Sequence, residues 1–372
     1  MKKILIVHSN PFFPLEKGSD KVIYEYCKLL KNKGCDLYYC STGQCVISEE
    51  FSDFFDGNVF IFKKNKYSLK NIISKAKKIV RGIKSPDDLY PMGLEKFVRQ
   101  LNNTYNFDYC IINYIILSKL YLDCDIPRKV LFTHDVFTNK KEILGVDSFW
   151  LSLKPNQESS AIRRCTDIIS IQENESVLFH YYNPHANIYT VFSPFKITYQ
   201  NLTYNNNILF LSSNNQLNRN GIIWFVENVF PLVLKKISDA KLIVGGGICN
   251  SLSDYQSENI ILEGYINNVA DFYKFGDIVI NPIYQGTGLK VKTFEALSFG
   301  KLVITHKHSV EGIFDRYSAP IFFADTAPKY AELLIKTLNS SDRKAVSEKS
   351  IEYIDRLNCY VNSEYDNLLN KQ

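Results

Sequence analysis

Residues 281–305 read NPIYQGTGLKVKTFEALSFGKLVIT and indicate the fold more clearly than any other stretch of the chain. An apolar run at residues 278–280 leads into a loop with two glycines. A helical pattern then runs to Gly300, and residues 302–305 form a second apolar run. A strand, a glycine loop, a helix and a strand in this order direct the free N–H groups of the helix N-terminus towards an anion.

Glu295 lies inside that helical pattern, beside Phe294, Ala296 and Leu297. A carboxylate next to an apolar stripe costs free energy unless other groups donate hydrogen bonds to it. Ligand hydroxyls are suitable donors, whereas a solvated surface carboxylate is the alternative interpretation of an isolated Glu. The surrounding pattern favours a ligand-binding role for Glu295.

Residues 294–305, FEALSFGKLVIT, resemble the donor-binding segment of glycosyltransferase family 4, a group of retaining enzymes in the GT-B superfamily. That segment reads Glu-Ala-hydrophobic-Ala/Ser-x-Gly-x-Pro-Val-Val-x-Thr in the family. The resemblance implies that Glu295 binds the ribose hydroxyls of a nucleotide-sugar. Many members carry a second Glu where this chain has Thr287, and branches without it often keep a Lys at the position of Lys292.

The resemblance also assigns the rest of the donor site. Many relatives bind the donor diphosphate with an Arg and a Lys, where this chain has Asn215 and Asn220 with Arg219 nearby. A diphosphate needs cations or several N–H donors, and Lys290 and Lys292 with the Gly-Thr-Gly loop are the expected substitutes, a pair of solvated surface lysines being the alternative interpretation. The predicted donor-binding residues are Gly286, Thr287, Gly288, Leu289, Lys290, Arg219, Tyr265 and Glu295, and Lys292 is predicted to be catalytic.

The first half of the chain resembles the family less closely. Gly18-Ser19 follows the first predicted strand, and Ser19 is predicted to be the N-cap of the next helix. His134 and Asp135 end another predicted strand, where relatives often place a His near the donor sugar. The resemblance implies a catalytic role for His134 and an acceptor-side role for Gly18, Ser19 and Asp135. A simple helix cap and a structural His are the alternative interpretations.

Predicted strands alternate with predicted helices along the whole chain. The strands are predicted at residues 4–8, 37–41, 59–63, 109–113, 129–133, 168–171, 188–191, 208–212, 241–245, 260–263, 278–282, 302–305 and 321–323. This spacing implies an α/β fold with parallel, doubly wound sheets. Two such Rossmann-like domains that face each other across a cleft form the GT-B arrangement.

The polar stretch at residues 196–207 is the predicted linker. Residues 1–198 are then the acceptor-side domain and residues 205–345 the donor-binding domain. Residues 346–372 are predicted to form C-terminal helices that pack back on the first domain.

Composition agrees with a cytoplasmic two-domain enzyme, because 372 residues are enough for two hydrophobic cores. No apolar run reaches the length of a membrane span, and the N-terminus leads directly into a strand without a signal-peptide pattern. The nine cysteines contain no Cys-x-x-Cys pair, which disfavours a disulfide framework and a zinc site. Neither a metal nor another cofactor is expected, since no carboxylate cluster of the metal-ligand type occurs.

Residues 63–84 contain nine basic residues and no acidic one, with apolar residues at helical spacing. A basic amphipathic helix of this kind is typical of anionic membrane surfaces, and would place the enzyme on the inner face of the cell membrane. An ordinary surface helix packed on the sheet is the alternative. Nucleic acid is not expected as a partner because no nucleic-acid-binding motif accompanies the charge.

Together these features predict a glycosyltransferase in bacterial cell-surface polysaccharide or glycoconjugate synthesis. It would move a sugar from a nucleotide-sugar to a hydroxyl of a carbohydrate or lipid-linked acceptor, with retention and without a metal. A nucleotide-sugar epimerase of GT-B-like fold and a non-catalytic nucleotide-binding partner of a polysaccharide assembly complex are the alternatives. A Rossmann dehydrogenase is not expected, because residues 9–12 carry no glycine fingerprint after the first strand.

Overall fold

The computed structural model describes residues 1–15, 18–43, 45–63, 83, 85–147, 149–286, 288–289 and 291–371. They divide into two compact units, one made of Met1–Ser193 with Val361–Gln372 and the other of Pro194–Tyr360. The predicted basic helix at residues 63–84, apart from its Lys63 and Ile83, lies outside the described residues, and so do Thr287 and Lys290.

The first unit is built on a parallel sheet with the strand order β3-β2-β1-β4-β5-β6-β7 among its described residues. The strands are β1 Lys3–His8, β2 Asp36–Ser41, β3 Val59–Ile61, β4 Tyr109–Asn113, β5 Arg128–Phe132, β6 Asp167–Ser170 and β7 Asn187–Thr190. The helices are α1 Gly18–Asn32, α2 Glu49–Phe54, α3 Leu94–Tyr105, α4 Lys140–Leu144, α5 Pro155–Ile162 and α6 Glu173–Tyr182. Because helices cover a parallel sheet on both faces, its central strands are continuous apolar runs, and every residue of β4 is buried.

The second unit has a parallel sheet with the strand order β10-β9-β8-β11-β12-β13 among its described residues. The strands are β8 Asn207–Leu211, β9 Lys241–Gly245, β10 Ile260–Gly264, β11 Ile278–Asn281, β12 Leu302–His306 and β13 Ile321–Ala324. The helices are α7 Gln216–Trp224, α8 Phe230–Leu234, α9 Val269–Tyr273, α10 Val291–Ser298 and α11 Ala327–Leu338. The last helix, α12 Arg343–Asn370, begins in the second unit and ends in the first, which it enters at Val361. One π-helical turn, Phe225–Val229, joins α7 to α8.

The predicted α/β class with two doubly wound parallel sheets is confirmed, and each predicted strand is present within two residues of its expected bounds. The prediction of Ser19 as an N-cap is wrong, because α1 begins one residue earlier, at Gly18. Ser19 therefore lies in the first helical turn, where its hydroxyl donates to the Asp20 carboxylate over 3.5 Å.

The stretch predicted as a linker belongs to the second unit, since the division between the units falls after Ser193. The fully buried Asp277 holds this segment in the second unit. Its carboxylate accepts hydrogen bonds from the backbone N–H groups of Thr203 and Tyr204, over 2.8 and 2.7 Å. Arg343 forms an ion pair with the same carboxylate at 3.2 Å. A buried carboxylate with three such partners fastens the polar segment to its own sheet.

Each sheet has one point at which the strand order changes direction, which we call its switch point. It lies between β1 and β4 in the first unit and between β8 and β11 in the second. The connections leave the two neighbouring strands in opposite directions, so a crevice opens at their carboxyl ends, where ligands of such sheets bind.

Candidate functional site

The second unit brings a lysine directly to its switch point. Lys292 lies near the start of α10, and its Nζ donates to the main-chain O of Leu211, the last residue of β8, over 2.5 Å. The side chain is half-buried. The helix that follows β11 is thereby joined to the end of β8, and an ammonium group with three donors is fixed at the crevice.

Glu295 lies on the same face of α10 as Lys292, because residues three apart are neighbours on a helix. Its Oε1 accepts a hydrogen bond from Tyr273 Oη, at 3.1 Å. Tyr273 is only 1% exposed, and burial together with the negative charge of Glu295 raises the pKa of its phenol well above the ordinary value. The phenol therefore stays protonated and orients the carboxylate.

The loop between β11 and α10 depends on glycine. Gly286 and Gly288 have φ angles of 105° and 80°, in the region that side chains with a Cβ disfavour. His308 Nε2 donates to the main-chain O of Gly286 over 2.6 Å, and Leu289 accepts a hydrogen bond from Val291 N over 3.0 Å. Gly286, Gly288 and Leu289 thus lie immediately before α10, as predicted from the sequence.

His308 is a residue whose position the sequence did not reveal. Its partner is a backbone carbonyl 22 residues away, and such a carbonyl leaves no signature in residue types. The Nδ1 of the same ring lies 3.7 Å from Glu311 Oε2. Because a carbonyl oxygen only accepts, Nε2 of His308 must carry a proton.

Asn215 ends the loop after β8 and is the N-cap of α7, and Arg219 lies in the first turn of that helix. The Asn215 side chain caps α7 by accepting a hydrogen bond from Asn218 N over 2.9 Å. The Arg219 guanidinium donates to Asn214 Oδ1 over 3.2 Å and to Gln216 Oε1 over 2.7 Å. Both partners are neutral amides and leave the charge of the guanidinium uncompensated.

Tyr265 follows β10 directly, after a positive φ of 69° at Gly264. Its side chain is 83% exposed. Large aromatic side chains normally bury most of their surface on folding, so Tyr265 is available to a ligand at the end of its strand.

The first unit collects aromatic and amide groups at its own switch point. His134 follows β5 with a φ of 59°, and its ring stacks between Phe132 and Tyr114, with centroid distances of 4.5 and 4.6 Å. Its Nε2 lies 2.8 Å from Asn113 Oδ1, while Asn113 Nδ2 donates to Tyr26 Oη over 2.9 Å. Nε2 is therefore the donor, and Nδ1 is the acceptor.

Burial, with a smaller contribution from the neighbouring His8, lowers the pKa of His134 well below its ordinary value. The imidazole is therefore neutral at pH 7. The helix α1 lies close by, because the Tyr114 hydroxyl interacts with Ser19 while its ring stacks on His134. The structure thus brings His134 and Ser19 together through Tyr114, a residue that the sequence analysis did not single out.

Three acidic side chains on the elements that follow β5 and β6 have partners or a raised pKa. Asp135 forms an ion pair at 2.5 Å with Lys140, which is 2% exposed. Glu158 accepts from Phe137 N over 3.0 Å. Burial, with the negative charge of Asp135, raises the pKa of the Glu175 carboxyl to about 8. This carboxyl therefore stays mostly protonated at neutral pH.

No group of three or more His, Cys, Asp or Glu side chains that could hold a metal occurs among the described residues. In the same part of the chain, no helix is both long enough and apolar enough to cross a membrane.

Part of the second unit matches a known protein family, and a stretch of the chain is similar to a curated protein. The model of the family described as "Glycosyl transferases group 1" matches residues 205–340. An uncharacterized 44.6 kDa protein in the cps region of Klebsiella pneumoniae is 26% identical over an alignment of 176 residues, and the match covers 44% of this chain and 45% of that protein. The matched stretch thus spans less than half of the length of this curated relative.

Several solved structures share the whole fold. TarM superimposes with a TM-score of 0.72 at 13% identity and covers 100% of this chain and 99% of its own. Sucrose-phosphate synthase from Thermosynechococcus elongatus gives 0.71 at 11% identity, with 99% and 98% covered. HepE from Anabaena in complex with UDP gives 0.67 at 11% identity, with 100% of both chains covered. The chain has the fold of the GT-B glycosyltransferases, and residues 205–340 of its second unit carry the sequence pattern of glycosyl transferases group 1.

Proposed function

We propose that the protein is a glycosyltransferase that moves a sugar from a nucleotide-sugar to an acceptor hydroxyl. The observation that carries the proposal is the joining of Lys292 to the end of β8, with Glu295 one turn further along α10. Both side chains lie in the segment that matches the glycosyl transferases group 1 model. The relative in a cps region supports a place in cell-surface polysaccharide synthesis.

In this proposal the donor diphosphate lies at the N-terminus of α10. The first N–H groups of a helix have no partners within the helix and carry a partial positive charge. Lys292 adds a full charge beside them, and Arg219 adds a second from the first turn of α7. These cations stabilise the negative charge that grows on the diphosphate as the sugar leaves.

Glu295 would orient the nucleoside by accepting hydrogen bonds from the two ribose hydroxyls. Tyr273 donates to Oε1 of the carboxylate and so fixes its orientation. Tyr265 is the exposed aromatic side chain that would lie beside the base. Because HepE was solved with UDP and with UDP-glucose, we infer that uridine diphosphate sugars are the first donors to test.

His134 and its surroundings would bind the transferred sugar or the acceptor. A neutral imidazole with Nδ1 as an acceptor suits a sugar hydroxyl, which is itself neutral. We propose retention at the anomeric carbon and no requirement for a metal, with the leaving phosphate helping to deprotonate the acceptor. Proton NMR of the product reports the anomeric configuration, and activity after treatment with EDTA reports the metal requirement.

The experiment that tests this function is a thermal-shift screen of nucleotide-sugars on the wild type and on Glu295→Gln. A bound donor at about 100 times its dissociation constant adds roughly 2.7 kcal/mol to the free energy of unfolding. Glu295→Gln should weaken the donor by about tenfold to a hundredfold, because hydrogen bonds to a charged group contribute roughly 1.5–3 kcal/mol. Glu332→Gln, an exposed Glu on α11, is the matched control.

A folded Glu295→Gln variant with wild-type donor affinity would contradict the assignment of Glu295. Conversion of the free nucleotide-sugar into its epimer without an acceptor would identify an epimerase. Donor binding with no turnover of any acceptor would favour a non-catalytic nucleotide-binding protein.

A further inference from the structure

Trp150 is one of only two tryptophans in the chain, and 47% of its surface is exposed. An indole ring is among the largest apolar surfaces that folding can bury, and leaving half of it in water forfeits stabilisation. Its neighbours Phe149 and Leu151 do pack inward, Phe149 against the core and Leu151 with 1% exposure. The exposure of Trp150 is therefore specific to this side chain.

The segment that carries Trp150 is held firmly in place. Leu153 N donates to Phe137 O over 2.8 Å, and Asn139 N donates to Leu153 O over 2.8 Å. The Ser152 hydroxyl accepts from Lys141 N over 3.1 Å. Trp150 is thus presented by a backbone that is paired with the segment directly after His134.

The indole ring also contacts the His134 site. Phe137 and Tyr114 pack edge-to-face against Trp150, with centroid distances of 4.9 and 6.2 Å. Tyr114 in turn stacks on His134 at 4.6 Å. We call the exposed Trp150 and the half-buried Tyr114 the aromatic shelf, and Phe137, which is 1% exposed, supports it from within the core. The shelf continues the ring stack at the carboxyl ends of the strands of the first unit.

Polar groups suited to hydroxyls lie along one side of this shelf. The Tyr114 hydroxyl interacts with Ser19 and lies within reach of the charges of Asp20 and Asp135. A pyranose ring has an apolar face of polarised C–H groups and a rim of hydroxyls. Such a ring matches an electron-rich aromatic face bordered by carboxylate and hydroxyl oxygens.

We propose that Trp150 is a stacking platform for a sugar ring of the acceptor, so that the acceptor presents a carbohydrate at its reacting end. This proposal rests on the proposed function and narrows its substrate class. The hydroxyl of a bare lipid or of a protein would leave the exposed indole without a partner. A lipid-linked glycan satisfies the proposal through its sugar.

The test uses the small number of tryptophans. Trp224→Phe leaves Trp150 as the sole indole, and Trp150→Phe leaves only Trp224. Each variant is titrated with the methyl α- and β-glycosides of glucose, galactose, N-acetylglucosamine and rhamnose, and with disaccharides of these sugars. We expect at least one sugar to change the emission of Trp224→Phe with saturation, and no sugar to change that of Trp150→Phe. No saturable change in Trp224→Phe, or an equal change in both variants, overturns the proposal.

The Trp224 ring packs against Tyr330 and His306, so Trp224→Phe could fail to fold. In that case wild type and Trp150→Phe are compared directly, and a saturable change confined to the wild type supports the shelf. With a working donor and acceptor, Trp150→Ala should raise the acceptor KM about tenfold, which Trp150→Tyr should largely reverse. The donor-induced thermal shift should be the same in wild type, Trp150→Ala and Trp150→Tyr.

The two proposals fail in different ways. Donor-induced stabilisation without any sugar-dependent change in Trp150 emission removes the shelf and leaves the transferase. A sugar-dependent change in Trp150 emission without stabilisation by any nucleotide-sugar shows that the shelf binds sugar but removes the transferase, and with it the role of that sugar as an acceptor.

Discussion

The two switch points have the same strand topology but differ in charge: the side chains at the second are charged, and those at the first are mainly neutral. In the second unit the crevice carries Lys292 and Glu295, a fixed cation and a carboxylate on one face of α10. In the first unit the end of β4 carries the amide of Asn113, and beside it lies His134, which follows the neighbouring strand β5 and is neutral because burial lowers its pKa. The charged Asp135 nearby forms an ion pair with Lys140.

The comparison shows that the fold fixes where a ligand binds, while the residues that follow each strand fix which ligand. Parallel strands direct their connections to the same edge in both sheets. Cations beside free helix N–H groups favour a phosphate, whereas a neutral imidazole and aromatic rings favour a group that bears hydroxyls. We therefore expect charge-changing substitutions to affect the second unit most strongly.

The largest effect is expected from Lys292→Ala. Removal of a charge that stabilises the departing diphosphate should lower kcat/KM by about 10²–10³-fold, as for other preorganised groups in transition-state stabilisation. Lys292→Arg should retain part of the activity, because the charge persists while its geometry changes. Lys329→Ala, an exposed lysine on α11, is the control. A Lys292→Ala enzyme within threefold of wild type would place the diphosphate elsewhere.

The next effect concerns the carboxyl of Glu175, whose pKa is raised to about 8 in the folded protein. In the unfolded chain this carboxyl ionises near pH 4.3. Between these values the folded state holds the extra proton, so the free energy of unfolding falls as the pH rises. Glu175→Gln has no such proton, so its free energy of unfolding lacks this pH dependence. The difference in the free energy of unfolding, variant minus wild type, should therefore be larger at pH 8.5 than at pH 5 by on the order of a few kcal/mol.

Urea unfolding of wild type and Glu175→Gln at both pH values measures that difference. Glu142→Gln, an exposed Glu in the same unit, is the matched control. If the free energies of unfolding of wild type and Glu175→Gln differed by the same amount at pH 5 and at pH 8.5, Glu175 would be ionised in the folded protein at both pH values. The first unit would then not be the neutral member of the pair.

Most of the fold could be predicted from the sequence, because parallel strands covered on both faces are unbroken apolar runs. The run in β4 and the run in β11 are examples, and both were placed to within a residue. The segment with Glu295 was equally clear, since its residue types and spacing are unusual. The positions of Gly286 and Lys292 before and within α10 followed from the same pattern.

The remainder depends on contacts between residues that are distant in sequence. Asn113 and His134 meet because β4 and β5 are neighbours in the sheet. Asp277 fastens residues more than 70 positions before it, so a polar segment that resembles a linker is part of the second unit. Neither pairing leaves a local pattern, and only the assembled sheets reveal them.

A smaller effect is expected from His134→Asn. The variant loses the imidazole acceptor and the ring stack, and kcat/KM should fall about tenfold, the equivalent of one hydrogen bond. Because the pKa of His134 is lowered, its imidazole is neutral throughout pH 6.5–8, and its titration should not shape activity there. The pH profiles of kcat/KM for wild type and His134→Asn should be parallel. If the pH profile of kcat/KM changed slope near pH 6.5 in the wild type but not in His134→Asn, His134 would act as a titrating base.

The smallest effect is expected from Tyr273→Phe, which removes the phenol that donates to Glu295 Oε1. The carboxylate keeps its charge and its place on α10, so only its orientation is loosened. Donor affinity should fall about two- to fivefold, and stability by about 1 kcal/mol, the usual contribution of a single hydrogen bond. Isothermal titration of the donor into Tyr273→Phe and into Tyr255→Phe, whose hydroxyl instead contacts the exposed Glu227, separates the two losses. If Tyr273→Phe weakened the donor as much as Glu295→Gln, the phenol itself would bind the donor, and the second switch point would use an uncharged group as the first one does.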